Sequence, residues 1–168
     1  MTGFPADILQ SALHLIGLCR KSGLLIATAE SCTGGLIIGA LTEIAGSSDV
    51  IDCGFVTYSN AAKTTMLHVP ARLIKAHGAV SRAVVEAMVE GTLKHSNASL
   101  AVAVTGIAGP GGGSAEKPVG LVYVAAATKN EIRHVECRFG DIGRGPVRQE
   151  TIRTALKLMI ELADQAGK

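Results

Sequence analysis

Tryptophan is absent from this 168-residue chain, and only two tyrosines and three phenylalanines are present. The aromatic platforms on which single-stranded nucleic acid stacks are therefore hardly available. The formal net charge is +2 with lysines and arginines scattered, which leaves no broad basic footprint for nucleic acid either. The four cysteines, Cys19, Cys32, Cys53 and Cys137, are far apart and form no C-x-x-C pair. Several sit in apolar runs, where a free cysteine acts as a small hydrophobe, and a reduced protein is the simplest reading. No apolar run reaches bilayer-spanning length, so no membrane partner is expected. The first twenty residues lack the basic start of a signal peptide, and the expectation is cytoplasmic residence. The five histidines show no H-x-H or H-E-x-x-H spacing, so neither a metal nor a cofactor is expected.

What remains is aliphatic. Hydrophobic residues make up 48% of the chain, mostly Ala, Val, Ile and Leu, which points to an α/β domain with a parallel or mixed sheet. The length fits one core rather than two, so a single domain over 1–168 is expected, as a three-layer α/β/α sandwich with a central mixed sheet. The high apolar fraction also points to a homo-oligomer.

Taken in order, residues 6–21 place Ile8, Ala12, Leu15, Ile16 and Cys19 on one helical face, with Gly23 as C-cap. A strand over 24–29 and a helix from 36 to near Gly46 follow. Val50–Tyr58 is rich in β-formers. Asn60 is expected to cap a short helix carrying Lys63 and Met66, and Pro70 to start another that ends before Gly78. Ser81 fits an N-cap for a helix running to about His95. Leu100–Thr105 reads as a central strand, Gly120–Thr128 and Ile132–Phe139 as a hairpin, and Pro146–Gln165 as the last helix.

Two stretches carry chemistry. In Thr28-Ala-Glu-Ser-Cys-Thr-Gly-Gly35 a hydroxyl, a thiol, a carboxylate and two glycines are packed into one strand-to-helix turn. Unpaired amides at a helix start attract negative charge, and a serine there can be an exposed nucleophile. Ser31 or Thr33 can equally be the N-cap of the helix, and on this stretch alone the cap outweighs the nucleophile. Cys32 competes with Ser31, since a thiol at a helix N-terminus is readily ionised; the alternative is that it packs inward. Adjacent residues face different ways, so only one of the two can face a pocket.

The second stretch is the glycine-rich loop from Gly106 to Pro118. It matches neither the P-loop nor the Rossmann fingerprint, but its place at the C-terminal end of a strand favours a ligand role over a bare surface loop. Lys63, read alone, is a solvated lysine; desolvated beside a serine it becomes a general base, and the helix start would lower its pKa. Arg144 and Arg148, near the start of the last helix, suit a phosphate or carboxylate as well as they suit open solvent. His14 and His95 read as helix-surface residues.

Five ordered motifs act together: Thr28–Gly35, Tyr58-Ser-Asn60 with Lys63, Gly78-Ala-Val-Ser81, Thr105-Gly-Ile-Ala-Gly-Pro-Gly-Gly-Gly113, and Glu116-Lys-Pro-Val-Gly120. In these the chain resembles the CinA C-terminal domain family, whose enzymatic members are nicotinamide-nucleotide amidases of the PncC type. The resemblance covers nearly the whole chain. It implies metal-independent hydrolysis of the carboxamide of nicotinamide mononucleotide to nicotinate mononucleotide and ammonia, in pyridine-nucleotide salvage. By position it makes Ser31 the nucleophile, Lys63 its base and Thr105 a neighbouring hydroxyl, with Tyr58 and Asn60 on the same wall. Glu30, Cys32, Thr33, Gly34 and Gly35, with Gly106, Ala108 and Gly109, then surround the substrate, and backbone amides of the two turns hold an oxyanion or phosphate. Arg144 and Arg148 are the phosphate candidates, in a segment, Gly140-Asp-Ile-Gly-Arg-Gly-Pro-Val-Arg148, longer than the family's usual Gly-Asp-Arg and Val-Arg spacing. Larger family members carry an N-terminal domain that this sequence does not include. A non-catalytic nucleotide-binding module using the same glycine-rich loop is the alternative from another class.

Overall fold

Strand β1 (Ile26–Glu30) is buried along its whole length because a strand pairs with it on each side. It runs parallel to β2 (Ile51–Val56) on one edge and to β3 (Leu100–Gly106) on the other. β4 (Leu121–Thr128) and β5 (Ile132–Arg138) extend the sheet antiparallel, giving the order β2-β1-β3-β4-β5. This mixed five-stranded sheet lies between two helical layers, in a computed structural model that describes residues 3–166. The first two and last two residues of the expected 1–168 domain lie outside the described residues.

Side-chain alternation sorts the layers. Along β3, Leu100, Val102 and Val104 join the core made with α1 (Ala6–Ser22), α2 (Leu36–Thr42) and α6 (Arg144–Ala166). Ala101 and Ala103 face the opposite core, made with α3 (Asn60–Leu67), α4 (Ala71–His77) and α5 (Arg82–Lys94). β4 repeats the division, with Val122 and Val124 on the first side and Ala125 and Ala127 on the second. Period-two alternation puts large side chains under one layer and small ones under the other, so α5 can lie close to the sheet. α5 also crosses the end of α3 closely: a Cβ on Gly91 would overlap the Leu67 carbonyl.

Element types match the sequence reading; β1 and β2 start or end one or two residues from the expected 24–29 and Val50–Tyr58, and three helix boundaries differ for identifiable reasons. The N-cap of α3 is Ser59, not Asn60: its Oγ accepts the Ala62 amide at 3.0 Å. α2 stops at Thr42, whose hydroxyl donates to the Ile38 and Gly39 carbonyls, and a 3-10 turn at Ser47–Asp49 follows. α6 begins at Arg144, two residues before Pro146; a proline in the first turn forfeits no intrahelical bond. Among the described residues no helix is long and apolar enough to cross a membrane.

Candidate active site

The site lies where the parallel strands end. Just past the ends of β1 and β2, the Thr57 amide donates to the Glu30 carbonyl at 2.9 Å; on the other side the Ser31 amide donates to the Val104 carbonyl at 3.2 Å. Ser31 is thus fixed at the C-terminal edge of the sheet between two neighbouring strand ends, the usual ligand position of a parallel sheet.

Glu30 shapes the turn that follows. Its Oε2 accepts the amides of Gly35 and Ile37 at 3.0 Å each, and its Oε1 accepts that of Ile38 at 2.8 Å and the Thr28 hydroxyl at 3.3 Å. A carboxylate from the preceding strand therefore caps α2, replacing the expected Ser31 or Thr33 cap. Gly35 stands at the cap position with φ +96° and offers no side chain. With that duty taken by Glu30, the Ser31 hydroxyl makes no capping bond to α2.

The alternation of β1 continues into the turn. Ser31 turns toward the α3 side, where Lys63 Nζ donates to its Oγ at 3.0 Å. Cys32 belongs to the core beneath α2, and burial pushes its thiol up to about 12. Of the two adjacent candidates, the serine meets Lys63 and the cysteine packs.

Lys63 is not the solvated lysine its local sequence implies. It is 1% exposed, and its Nζ also donates to the Thr57 carbonyl at 3.0 Å and the Tyr58 carbonyl at 3.4 Å. Desolvation lowers its pKa from the ordinary lysine value, opposed only by the influence of Cys32. Among the described residues no carboxylate pairs with it, so a buried ammonium would be offset only by the Cys32 influence and the three oxygens that Nζ meets. Burial, rather than the helix start, is the leading cause. A neutral amine has two N–H donors and one lone pair, and here it meets two carbonyls and one hydroxyl. The arrangement accommodates the amine as acceptor for the Ser31 proton.

A cleft of about 240 Å³ opens over this pair. Ser31, Cys32, Tyr58, Asn60, Lys63, Thr105, Gly106, Ala108 and Arg144 line it, as does a wall the sequence reading left without a role, Ala79 and Val80. The signal for that wall was Gly78, which ends α4 with φ +75°. The Thr105 hydroxyl donates to the Ala79 carbonyl at 2.9 Å and so ties the wall to β3. Arg144 sits at the rim, donating from Nη1 to the Gly109 carbonyl and from Nη2 to the Tyr58 hydroxyl, each at 3.0 Å.

The remaining candidates stand outside the cleft lining. Arg148 donates from Nη2 to the Thr33 carbonyl at 2.7 Å and braces the turn from the α6 side. Thr33 is fully buried, the Gly34 amide donates to the Ser31 carbonyl, and the Gly35 amide is held by Glu30. The backbone donors left over are the amides of Cys32, Thr33, Ala108 and Gly109, which donate to no other residue among those described. No three His, Cys, Asp or Glu side chains gather as a metal site among the described residues.

The chain is similar to known proteins along most of its length. Residues 9–163 match the CinA C-terminal domain. A CinA-like protein of Parasynechococcus marenigrum is 48% identical over 155 residues, covering 92% of this chain and 36% of that protein. One of Citrifermentans bemidjiense is 53% identical over 140 residues, covering 83% and 33%. The chain therefore spans about a third of the length of these curated relatives. Among solved structures, the competence/damage inducible protein CihA of Agrobacterium tumefaciens superposes with a TM-score of 0.95 at 56% identity, over 96% of this chain and 99% of that one. A CinA superfamily protein of Klebsiella pneumoniae gives 0.89 at 32% identity, over 94% and 98%. With the family model, the sequence identities and the fold in agreement, the chain belongs to the CinA C-terminal domain family.

Proposed function

We propose that this domain is a nicotinamide-nucleotide amidase that hydrolyses its substrate through a Ser31–Lys63 pair. The observation that carries the reading is the buried Lys63 Nζ, 3.0 Å from Ser31 Oγ at the floor of an open cleft. Burial keeps Lys63 closer to the neutral form, which is the form able to take a proton. The choice of nicotinamide mononucleotide follows the family resemblance.

The reaction proceeds in two halves. Lys63 takes the Ser31 proton as Oγ attacks the carboxamide carbon, and the carbonyl oxygen becomes an oxyanion. In this reading the amides of Cys32 and Ala108, two cleft-lining residues whose N–H groups donate to no other described residue, hold it. Collapse breaks the C–N bond while the lysine ammonium returns the proton to the departing nitrogen, releasing ammonia and leaving a Ser31 ester. A water then gives its proton to Lys63, attacks the ester carbon, and the acid product leaves as Ser31 is reprotonated. At the rim, Arg144 serves the phosphate: the Tyr58 hydroxyl it now holds is an acceptor that an anionic phosphate oxygen replaces with gain.

The test is ammonia release from nicotinamide mononucleotide by the purified domain with a chelator present. The reading expects ammonia and nicotinate mononucleotide in equal amounts. Saturable binding without ammonia would instead make the domain a non-catalytic nucleotide-binding module.

A further inference from the structure

Two of the sequence motifs, Gly78–Ser81 and Glu116–Gly120, take no part in the chemistry above, and the structure joins them through one side chain. Lys117 Nζ donates to the His77 carbonyl at 2.6 Å and to the Val80 carbonyl at 2.8 Å. Between them, the Gly78 carbonyl accepts the Ser81 hydroxyl at 2.9 Å and the Ala79 carbonyl accepts the Thr105 hydroxyl. Four successive carbonyls, that of His77 at the end of α4 and those of Gly78, Ala79 and Val80 beyond it, therefore each accept a side-chain donor. Gly78 makes the space: a Cβ there would lie 2.8 Å from Lys117 Nζ, on a backbone already at φ +75°.

The other end of the contact is equally defined. The Lys117 amide donates to Ser114 Oγ at 3.0 Å and the Ser114 amide to the Lys117 carbonyl at 2.8 Å, so the tip of the glycine-rich loop is a closed turn that presents the ammonium. Ala79 and Val80 line the cleft together with Tyr58 and Asn60.

We propose that Lys117 is a positioning residue: its ammonium locks the glycine-rich loop to the Ala79–Val80 wall and so fixes the width of the cleft for the bound nucleotide. It touches neither the reacting amide nor Ser31. Its removal loosens the wall alone, weakening ground state and transition state together. Charge-assisted bonds to two carbonyls are strong enough for a change of about tenfold in KM.

The kinetic part rests on the amidase reading, so the test has one arm that does not. Hydrogen–deuterium exchange compares wild type, Lys117→Met and, as control, the exposed neighbour Glu116→Gln. Lys117→Met is expected to exchange faster in peptides covering both 77–81 and 106–118, with β3 and α5 unchanged and Glu116→Gln like wild type. In the second arm, KM for nicotinamide mononucleotide rises about tenfold in Lys117→Met while kcat stays within about twofold. Unchanged exchange at 77–81, or faster exchange throughout the domain, overturns the latch whatever the substrate proves to be. A fall in kcat with KM unchanged overturns its positioning role. Failure of the wild type itself to release ammonia refutes the amidase reading, and the exchange arm then decides the latch.

Discussion

The carboxylate of Glu30 accepts the amide of Ile38 at 2.8 Å, so the residue just before the candidate nucleophile also caps the helix just after it. Sheet, turn and helix are tied at one buried side chain, and Ser31 is placed by that tie. Glu30→Gln keeps the shape but offers one oxygen where two are used, and its amide nitrogen would face backbone donors. The variant is expected to lose about 2 kcal/mol of stability, the scale of hydrogen bonds to a charged group. Thermal unfolding checks this, with a fall of roughly 4–8 °C expected for a chain of this size.

Lys63 makes activity and stability depend on pH in the same direction. Its pKa in the fold lies below the ordinary lysine value because of burial. The rate constant kcat/KM therefore rises with pH as Lys63 loses its proton. For stability, the unfolded chain binds the proton more tightly, so between the folded and the ordinary pKa the unfolded state carries more protons and stability rises with pH. Below the folded pKa the full cost of the buried charge is present. Denaturant unfolding of wild type against Lys63→Met isolates the effect: their difference is expected to shift in favour of wild type as pH is raised from neutral toward 10, and Lys63→Met is expected to be inactive at every pH.

Cys32 is expected to be inert. Its thiol is 5% exposed and raised to about 12, so almost no thiolate exists at pH 8. Iodoacetamide should leave Cys32 unmodified in the folded protein, as peptide mass spectrometry will show. Cys32→Ala should retain activity and lose roughly 1 kcal/mol of stability from the packing deleted.

Gly91 lies on α5, away from the chemistry, yet Gly91→Ala should damage the site. In an open helix the change would gain about 1 kcal/mol. Here the added Cβ overlaps the Leu67 carbonyl, a backbone atom that cannot rotate aside. Overpacking of this kind costs about 1–3 kcal/mol, and relief requires α3 to move, carrying Lys63 with it. A lower melting temperature together with a reduced kcat is the expected result.

The layers of this fold are legible in the sequence because alternation and helical spacing record which face is buried. Leu100–Thr105 announces a central strand, and Val84, Val85, Met88, Val89 and Leu93, at helical spacing after the Ser81 cap, a packed helix. The chemistry is less so. Lys63 reads as a surface residue because the group that marks its Nζ out, the Ser31 hydroxyl, lies 32 residues away in sequence, while its other partners are main-chain carbonyls of Thr57 and Tyr58 that no sequence pattern announces. Arg144 and Arg148 look equivalent four residues apart, yet one reaches the cleft rim and the other braces the turn at Thr33. Glu30 gave no sign of a capping role, since its partners lie five to eight residues onward, beyond the usual capping spacing.

Ser31 as nucleophile is tested most directly by kcat/KM for ammonia release from nicotinamide mononucleotide in wild type, Ser31→Ala and Cys32→Ala. Loss of the nucleophile predicts a fall of at least about 10³-fold in Ser31→Ala, with Cys32→Ala within about threefold of wild type. Activity that survives in Ser31→Ala, or that disappears only in Cys32→Ala, would contradict the Ser31–Lys63 mechanism.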